Sequence, residues 1–275
     1  MIATASVATK WRLNLSEGER FDAYLANANS SKYSKSEQEV VNLYQAIINR
    51  KSTKKDVRIS ALLSVAEYLY NDRGNKDQAI QKLEKYRYEY NNEACYIKML
   101  ATYLRGNQEN EKAIEVLLEF FSVNRDFKND DILELFGLLV TYRSLFWLDL
   151  REETKTGYKY GEIYEDDYRK QMQEQSKEFR DIRNKQGQKL IEIINSTDFQ
   201  KISGGARQNM ITAVYQYVEV CIRLKDWQNG KYLCLYVSKN LSKYNYGLNF
   251  ELKEKRIIEY EKTAKKDLAD RLKRR

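Results

Sequence analysis

Residues 60–92 read SALLSVAEYLYNDRGNKDQAIQKLEKYRYEYNN, and residues 94–127 read ACYIKMLATYLRGNQENEKAIEVLLEFFSVNRDF. Each stretch opens with about a dozen residues whose apolar positions recur every three or four, the spacing of an amphipathic helix. Each then breaks at a polar turn, Asn71–Asn75 in the first and Arg105–Asn110 in the second, and resumes helical spacing. The second helices, Lys76–Tyr90 and Glu111–Val123, superpose: Ala79, Ile80 and Leu83 match Ala113, Ile114 and Leu117. Ala79 and Ala113 stand 34 residues apart. One helical hairpin cannot bury its apolar face alone, whereas stacked copies share a continuous core, so a repeat of this length predicts stacking.

Composition extends that reading to the whole chain. There is no proline and there are only 11 glycines in 275 residues. Strand-and-turn folds use both residues at their corners, and helices use few of either. With 42% hydrophobic and 32% charged residues the chain has a core to bury and a surface to keep wet. The expected fold class is all-α, built of stacked antiparallel helical hairpins.

A third stretch, residues 211–244, follows the same plan. Val214, Val218 and Cys221 line one helix, Lys225, Asp226 and Trp227 make a turn, and Gly230, Cys234 and Val237 are close-packing positions of the next. Taken together, these units resemble tetratricopeptide repeats. Ala79 and Ala113 resemble the small residue where that family's two helices cross. Leu63 and Ile97 would fill its first large apolar site, Ala101 its second small site, and Tyr70 and Leu104 a later apolar site, with Gly74 in the turn. The chain also departs from the pattern. Glu67 stands where repeat one should have its small residue, and closing prolines are missing, with Asn91 at one such place. The resemblance implies a degenerate tetratricopeptide-like α-solenoid, a scaffold or adaptor that binds a partner peptide or helix in a groove lined by first helices. Its groove positions fall on Tyr68 and Asn71, on Lys98, Thr102 and Arg105, and on Tyr215, Glu219 and Arg223. Lysine and arginine there suit an acidic peptide segment of another protein, and a homodimer is a further expectation.

Four regions organise the chain. Residues 1–36 form an arm with one short helix near Ser16–Ala26, ending in a Ser/Asn-rich stretch, Asn27–Ser31. Residues 37–150 hold the repeats, opened by a capping box of Ser36 and Glu39, and end in a helix apolar almost all round, Ile132 to Leu148. Residues 151–200 comprise a charged connector, Glu152–Asp167, and a long polar central helix, Asp167–Asn195. Residues 201–275 carry the third hairpin and a basic tail helix.

Function classes narrow from the same residues. No histidine is present, which removes Ser-His-Asp and Cys-His catalysis and the usual proton shuttle at neutral pH. Carboxylate or Lys/Tyr chemistry stays open to the composition, but no spacing supports it, so the reading is a binding protein rather than an enzyme. Cys95, Cys221 and Cys234 form no CxxC pair, which implies reduced, mostly buried thiols, no metal and no cofactor. Asp166 and Asp167 with Glu162 and Glu165 lack a calcium-loop pattern. Gly204–Gly205 lacks the strand and lysine of a phosphate loop and reads as a turn. No apolar run reaches 18 residues and Met1–Ala8 is no secretory signal, so the chain is expected in the cytoplasm.

The net charge of +8 is uneven. Residues 201–275 hold 17 basic and 8 acidic residues, against 21 of each in residues 1–150. The alternative function is therefore a nucleic-acid-binding subunit that uses Lys262, Lys265, Lys266, Arg271, Lys273, Arg274 and Arg275. In that reading, tyrosines interleaved with the cations stack on bases. The competing reading of the 22 tyrosines is structural, since a ring packs between helices while its hydroxyl reaches a polar partner.

Overall fold

The computed structural model describes residues 25–273 except 33, 51, 160–182 and 245, and, within its helices, not the side chains of 149–159 or 271. Among the described residues every regular element is helical. In chain order the longer ones are α1 (Glu37–Ile48), α2 (Lys55–Glu67), α3 (Lys76–Glu84), α4 (Ala94–Gly106), α5 (Asn110–Val123), α6 (Asp130–Lys159), α7 (183–196), α8 (Gly204–Leu224), α9 (Trp227–Asn240) and α10 (Phe250–Lys273). The chain forms two compact units that divide after Val116, within α5.

The first unit is a stack of hairpins. Ser36 caps α1 as expected, its hydroxyl accepting from the Glu39 N–H while the Glu39 carboxylate accepts from the Ser36 N–H. The Ser36 hydroxyl, which donates to Glu39 Oε2 at 2.7 Å, and the Ser36 N–H hold the Glu39 carboxyl below its ordinary range. Upstream, residues 25–30 are helical. Ser30 and Ser31 turn their hydroxyls onto the Asn27 carbonyl instead of competing for solvent. Helix α1 packs on α2, α2 on α3, and α4 on both. Ala79 and Ala113, the small residues read from the repeat, are fully buried. The apolar stripes of α2 and α4 bury Leu62, Val65, Leu69, Ile97, Leu100 and Leu104, each contributing roughly 1.5–3 kcal/mol. Tyrosines bridge helices: Tyr44 donates to Asn29 Oδ1 at 2.6 Å, and Tyr96 to the Leu83 carbonyl at 2.6 Å.

The anomaly at Glu67 has a structural cause. From Ala61 onward the buried residues on α2 and just beyond it are Ala61, Leu62, Val65, Ala66, Tyr68 and Leu69, and on α4 they are Tyr96, Ile97, Leu100, Ala101, Tyr103 and Leu104. These two sets match at an offset of 35 residues, while the second helices match at 34. Repeat one therefore holds one extra residue between its helices, and the chain absorbs it as a π-helical turn, Tyr68–Asp72. The Arg73 N–H bonds the Tyr68 carbonyl five residues back, the pattern by which a helix accommodates an insertion without breaking. The turn's closing bond shows the same count. Asn75 N–H reaches back six residues to Leu69, whereas Glu109 reaches five to Leu104 and Asp226 five to Cys221. The small residue of repeat one is Ala66, and Glu67 points outward. In each hairpin the residue before that closing donor is left-handed: Gly74, Gln108 and Lys225, with φ of 69°, 67° and 61°.

In the second unit α6 packs along α8. Gly137 permits the contact, because a Cβ there would lie 2.6 Å from the Asn209 backbone. Leu133, Phe136 and Val140 of α6, Leu190 and Ile194 of α7, and Met210, Val214 and Val218 of α8 share one core. Helix α6 runs on to Lys159, so residues 152–159 are helix rather than connector. A chain of helix-forming Arg, Glu, Lys and Thr after Leu148 extends the helix once its apolar part is anchored. The rest of the expected connector and the first half of the central helix lie outside the described residues. Helices α8 and α9 form the third hairpin, with Gly230, Cys234 and Val237 buried as expected. Here too, tyrosines reach across: Tyr217 donates to the Arg183 carbonyl and Tyr236 to the Ile194 carbonyl.

Candidate partner-binding face

Counting back from the residue that precedes each second helix puts the three hairpins in register. Asn75, Glu109 and Asp226 are those residues. Eight positions back, or nine in repeat one, stand Ala66, Ala101 and Val218, all fully buried. One residue further on, the side chain turns outward: Glu67, Thr102 and Glu219. One turn earlier stand Leu63, Lys98 and Tyr215. These are the positions a partner would meet on first helices.

In the first unit that face is polar and open. Glu67, Cys95, Lys98 and Thr102 are exposed, with Leu63 half-buried beside them, on the neighbouring helices α2 and α4. Asn71 is exposed at the end of the π turn. Tyr68 is not on the face. The extra residue rotates it into the core, where it is fully buried and its hydroxyl accepts from Arg73 Nε at 2.6 Å. Glu67 takes its place. Tyr70 and Tyr103 clasp α4 to the π turn with rings stacked at 3.9 Å. Arg105 sits at the edge and donates to Asn110 Oδ1.

The third predicted set belongs to the second unit, where α10 engages Tyr215 and Glu219. Glu219 accepts from Lys253 Nζ at 3.1 Å and from both terminal nitrogens of Arg256 at 3.2 and 3.4 Å. Arg223 lies 3.6 Å away on the same carboxylate. The Lys253 ammonium also sits 3.9 Å from the ring centre of Tyr215, whose edge meets Phe250. Burial by itself would raise the Glu219 carboxyl, but Lys253 and Arg256 outweigh it and hold the carboxyl below its ordinary range. Burial outweighs the attraction of Glu219 at Lys253 and lowers its ammonium. Only 5% of Lys253 is exposed, so this charge is internal and its partner is indispensable.

Some cations of the last third pair with the chain's own carboxylates. Lys253 and Arg256 serve Glu219, and Lys231 and Lys265 serve Glu261 at 2.7 and 2.9 Å. Tyrosine faces are likewise taken by the chain's own cations: Tyr244 by Arg207 and Lys243, Tyr260 by Arg256. Lys262, Lys266 and Lys273 are exposed, while Arg274, Arg275 and the Arg271 side chain lie outside the described residues.

Other candidates resolve simply. Ser203 caps α8 and its N–H donates to Asp130 Oδ2 at 2.6 Å, and the Glu134 carboxylate lies against Gly205. The chain's own carboxylates occupy that helix terminus, leaving no place for a phosphate. Cys221 and Cys234 are buried, as expected for most of the thiols, and burial pushes both thiols up, whereas Cys95 is exposed. It lies on the outer face of α4. The acidic cluster at Glu162–Asp167 lies outside the described residues, among which no group of His, Cys, Asp and Glu side chains could hold a metal. No helix among them is long and apolar enough to cross a membrane.

No protein-family model and no curated protein matches the chain. Among solved structures it is similar to a Podosopora anserina crystal structure of nearly identical TPR-like repeats, described under the name kinesin light chain. The two share 11% identity at a TM-score of 0.47, over 85% of this chain and 100% of that one. The tetratricopeptide-like character of the hairpins rests on their own geometry: small residues at the crossings, a left-handed turn residue, and a second helix that recurs at 34 residues.

Proposed function

We propose that the chain is a protein-interaction scaffold whose first unit receives a peptide or helix of another protein across α2 and α4. The observation that carries this reading is the recurrence of one position. Glu219 in the third hairpin anchors basic residues of another helix, and its counterparts Glu67 and Thr102 stand exposed on neighbouring helices. Lys98, one turn before Thr102, adds a cation for a partner carboxylate. The partner segment then carries both signs, a basic residue for Glu67 and an acidic one for Lys98. A purely acidic peptide fits less well, because Arg223 shares Glu219 and Arg105 holds Asn110. Nucleic-acid binding draws less support, since Lys253 and Arg256 of the last third close on Glu219.

The test is affinity capture from the native host at two salt concentrations, with and without nuclease. It uses the wild-type chain and a Glu67→Arg, Thr102→Trp double variant. A protein that survives salt and nuclease with the wild type and is lost with the variant supports the reading. Recovery of nucleic acid alone, lost on raising salt, moves the function to the C-terminal third.

A further inference from the structure

The π turn does more than rotate Tyr68 inward. Glu67 closes α2 and Asp72 closes the π turn, so the two carboxylates stand one π turn apart. Both are exposed, and among the described residues neither forms an ion pair or a side-chain hydrogen bond. The cations beside them are engaged elsewhere. Arg73 donates to the Tyr68 hydroxyl, and the Lys76 ammonium lies 5.5 Å from the ring centre of Tyr70.

Two tyrosines from different helices show that the carboxylates act on one place. Burial raises the Tyr44 phenol of α1 to about 12, and Glu67 and then Asp72 push it the same way. The Tyr103 phenol of α4 is also raised to about 12, by burial first and then by Glu67, Tyr70 and Asp72. Tyr44 uses its proton on Asn29. Tyr103 is only 7% exposed and its ring is fixed against Tyr70 at 3.9 Å, yet its hydroxyl has no hydrogen-bond partner among the described residues. A buried side chain thus holds an unused hydroxyl beside two unused carboxylates. Such a set of acceptors calls for a donor that carries positive charge.

A metal ion does not suit the place. Calcium takes about six to eight oxygens, and among the described residues no group of His, Cys, Asp and Glu side chains could hold a metal. Between the two basic side chains, an ammonium offers its donors from one point. A guanidinium spreads its donors across a plane and can serve carboxylates on successive turns together. We propose, resting on the α2/α4 reading above, that Glu67, Asp72 and the Tyr103 hydroxyl form the socket for an arginine side chain of the partner segment.

The test titrates the full chain, its tyrosine rings labelled with carbon-13, with N-acetyl-arginine amide and follows it by NMR. The Tyr103 signal, identified by its loss in Tyr103→Phe, shifts with a dissociation constant on the order of 1 mM. N-acetyl-citrulline amide keeps the shape without the charge and leaves that signal unmoved. N-acetyl-lysine amide binds at least about threefold more weakly than the arginine probe. Glu67→Gln with Asp72→Asn weakens the arginine probe at least about tenfold and keeps the wild-type circular dichroism, because both residues are exposed. The proposal is overturned if citrulline shifts the signal equally, if lysine binds as tightly as arginine, or if the carboxamide variant binds arginine unchanged. Failure of the arginine probe, while capture of a protein is still lost with Glu67→Arg and Thr102→Trp, removes the socket and leaves the scaffold reading standing. Arginine binding without any captured protein removes the scaffold reading instead.

Discussion

Helix α4 stacks on the α2/α3 hairpin, and α10 stacks on the α8/α9 hairpin, by two different chemistries. In the first unit the joint is apolar and aromatic: Ile97 and Leu100 pack down, Tyr96 donates to the Leu83 carbonyl, and Tyr70 stacks on Tyr103. Carboxylates on the outer face, such as Glu67, remain in water. In the second unit the corresponding carboxylate, Glu219, is drawn into the joint by Lys253 and Arg256. One repeat plan can therefore leave an outward position free for a partner or use it for internal closure. The choice is made by the cations that the next helix brings.

The largest expected effect tests that contrast directly. Glu219→Ala should cost about 3–5 kcal/mol, because it strands the buried Lys253 charge, while Glu67→Ala should stay within about 0.5 kcal/mol. Urea unfolding midpoints measure both. Replacing the pair together, Glu219→Leu with Lys253→Met, should recover most of the loss; a double variant as unstable as the single one would refute the stranded-charge account. The pair also gives a pH signature. The folded Glu219 carboxyl lies below its unfolded value of about 4.3, so its contribution is complete above that value and disappears as pH falls through the folded one. Midpoints of Glu219→Gln should lack this acid-side decline.

A smaller effect tests the extra residue. Deleting Asn71 converts the π turn into ordinary helix and should change stability by no more than about 1 kcal/mol. Deleting Arg105, at the matching place in repeat two, throws α4 out of register with its own turn and should cost more than about 3 kcal/mol. Equal costs would mean that the π turn is not a one-residue insertion. Smaller still are the left-handed turn positions. Gly74→Ala should destabilise by about 1 kcal/mol, and Gln108→Gly and Lys225→Gly should each stabilise by about 0.5–1 kcal/mol. Thermal unfolding separates the three by sign.

Local signals made much of the architecture readable. The Ser36–Glu39 box, the crossings at Ala79 and Ala113, and the small residues Gly230 and Cys234 need only neighbours a few residues away. The insertion was present in the letters as well, since Ala66 lies 35 residues before Ala101. A single 34-residue offset hides it and places Tyr68, in place of Glu67, at the position of Thr102. Gly137 carried no local sign at all, because its role depends on the Asn209 backbone in another helix.

The sequence by itself determined the helices, the hairpins and the repeat, because periodicity, caps and turn residues act within a few residues of one another. Only the tertiary structure decided what the charges do. Lys253 and Glu219 are 34 residues apart, and nothing local distinguishes them from solvent-facing lysine and glutamate. Their pairing exists because α10 lies on the α8/α9 hairpin and takes both out of bulk water, where a charge must find its partner.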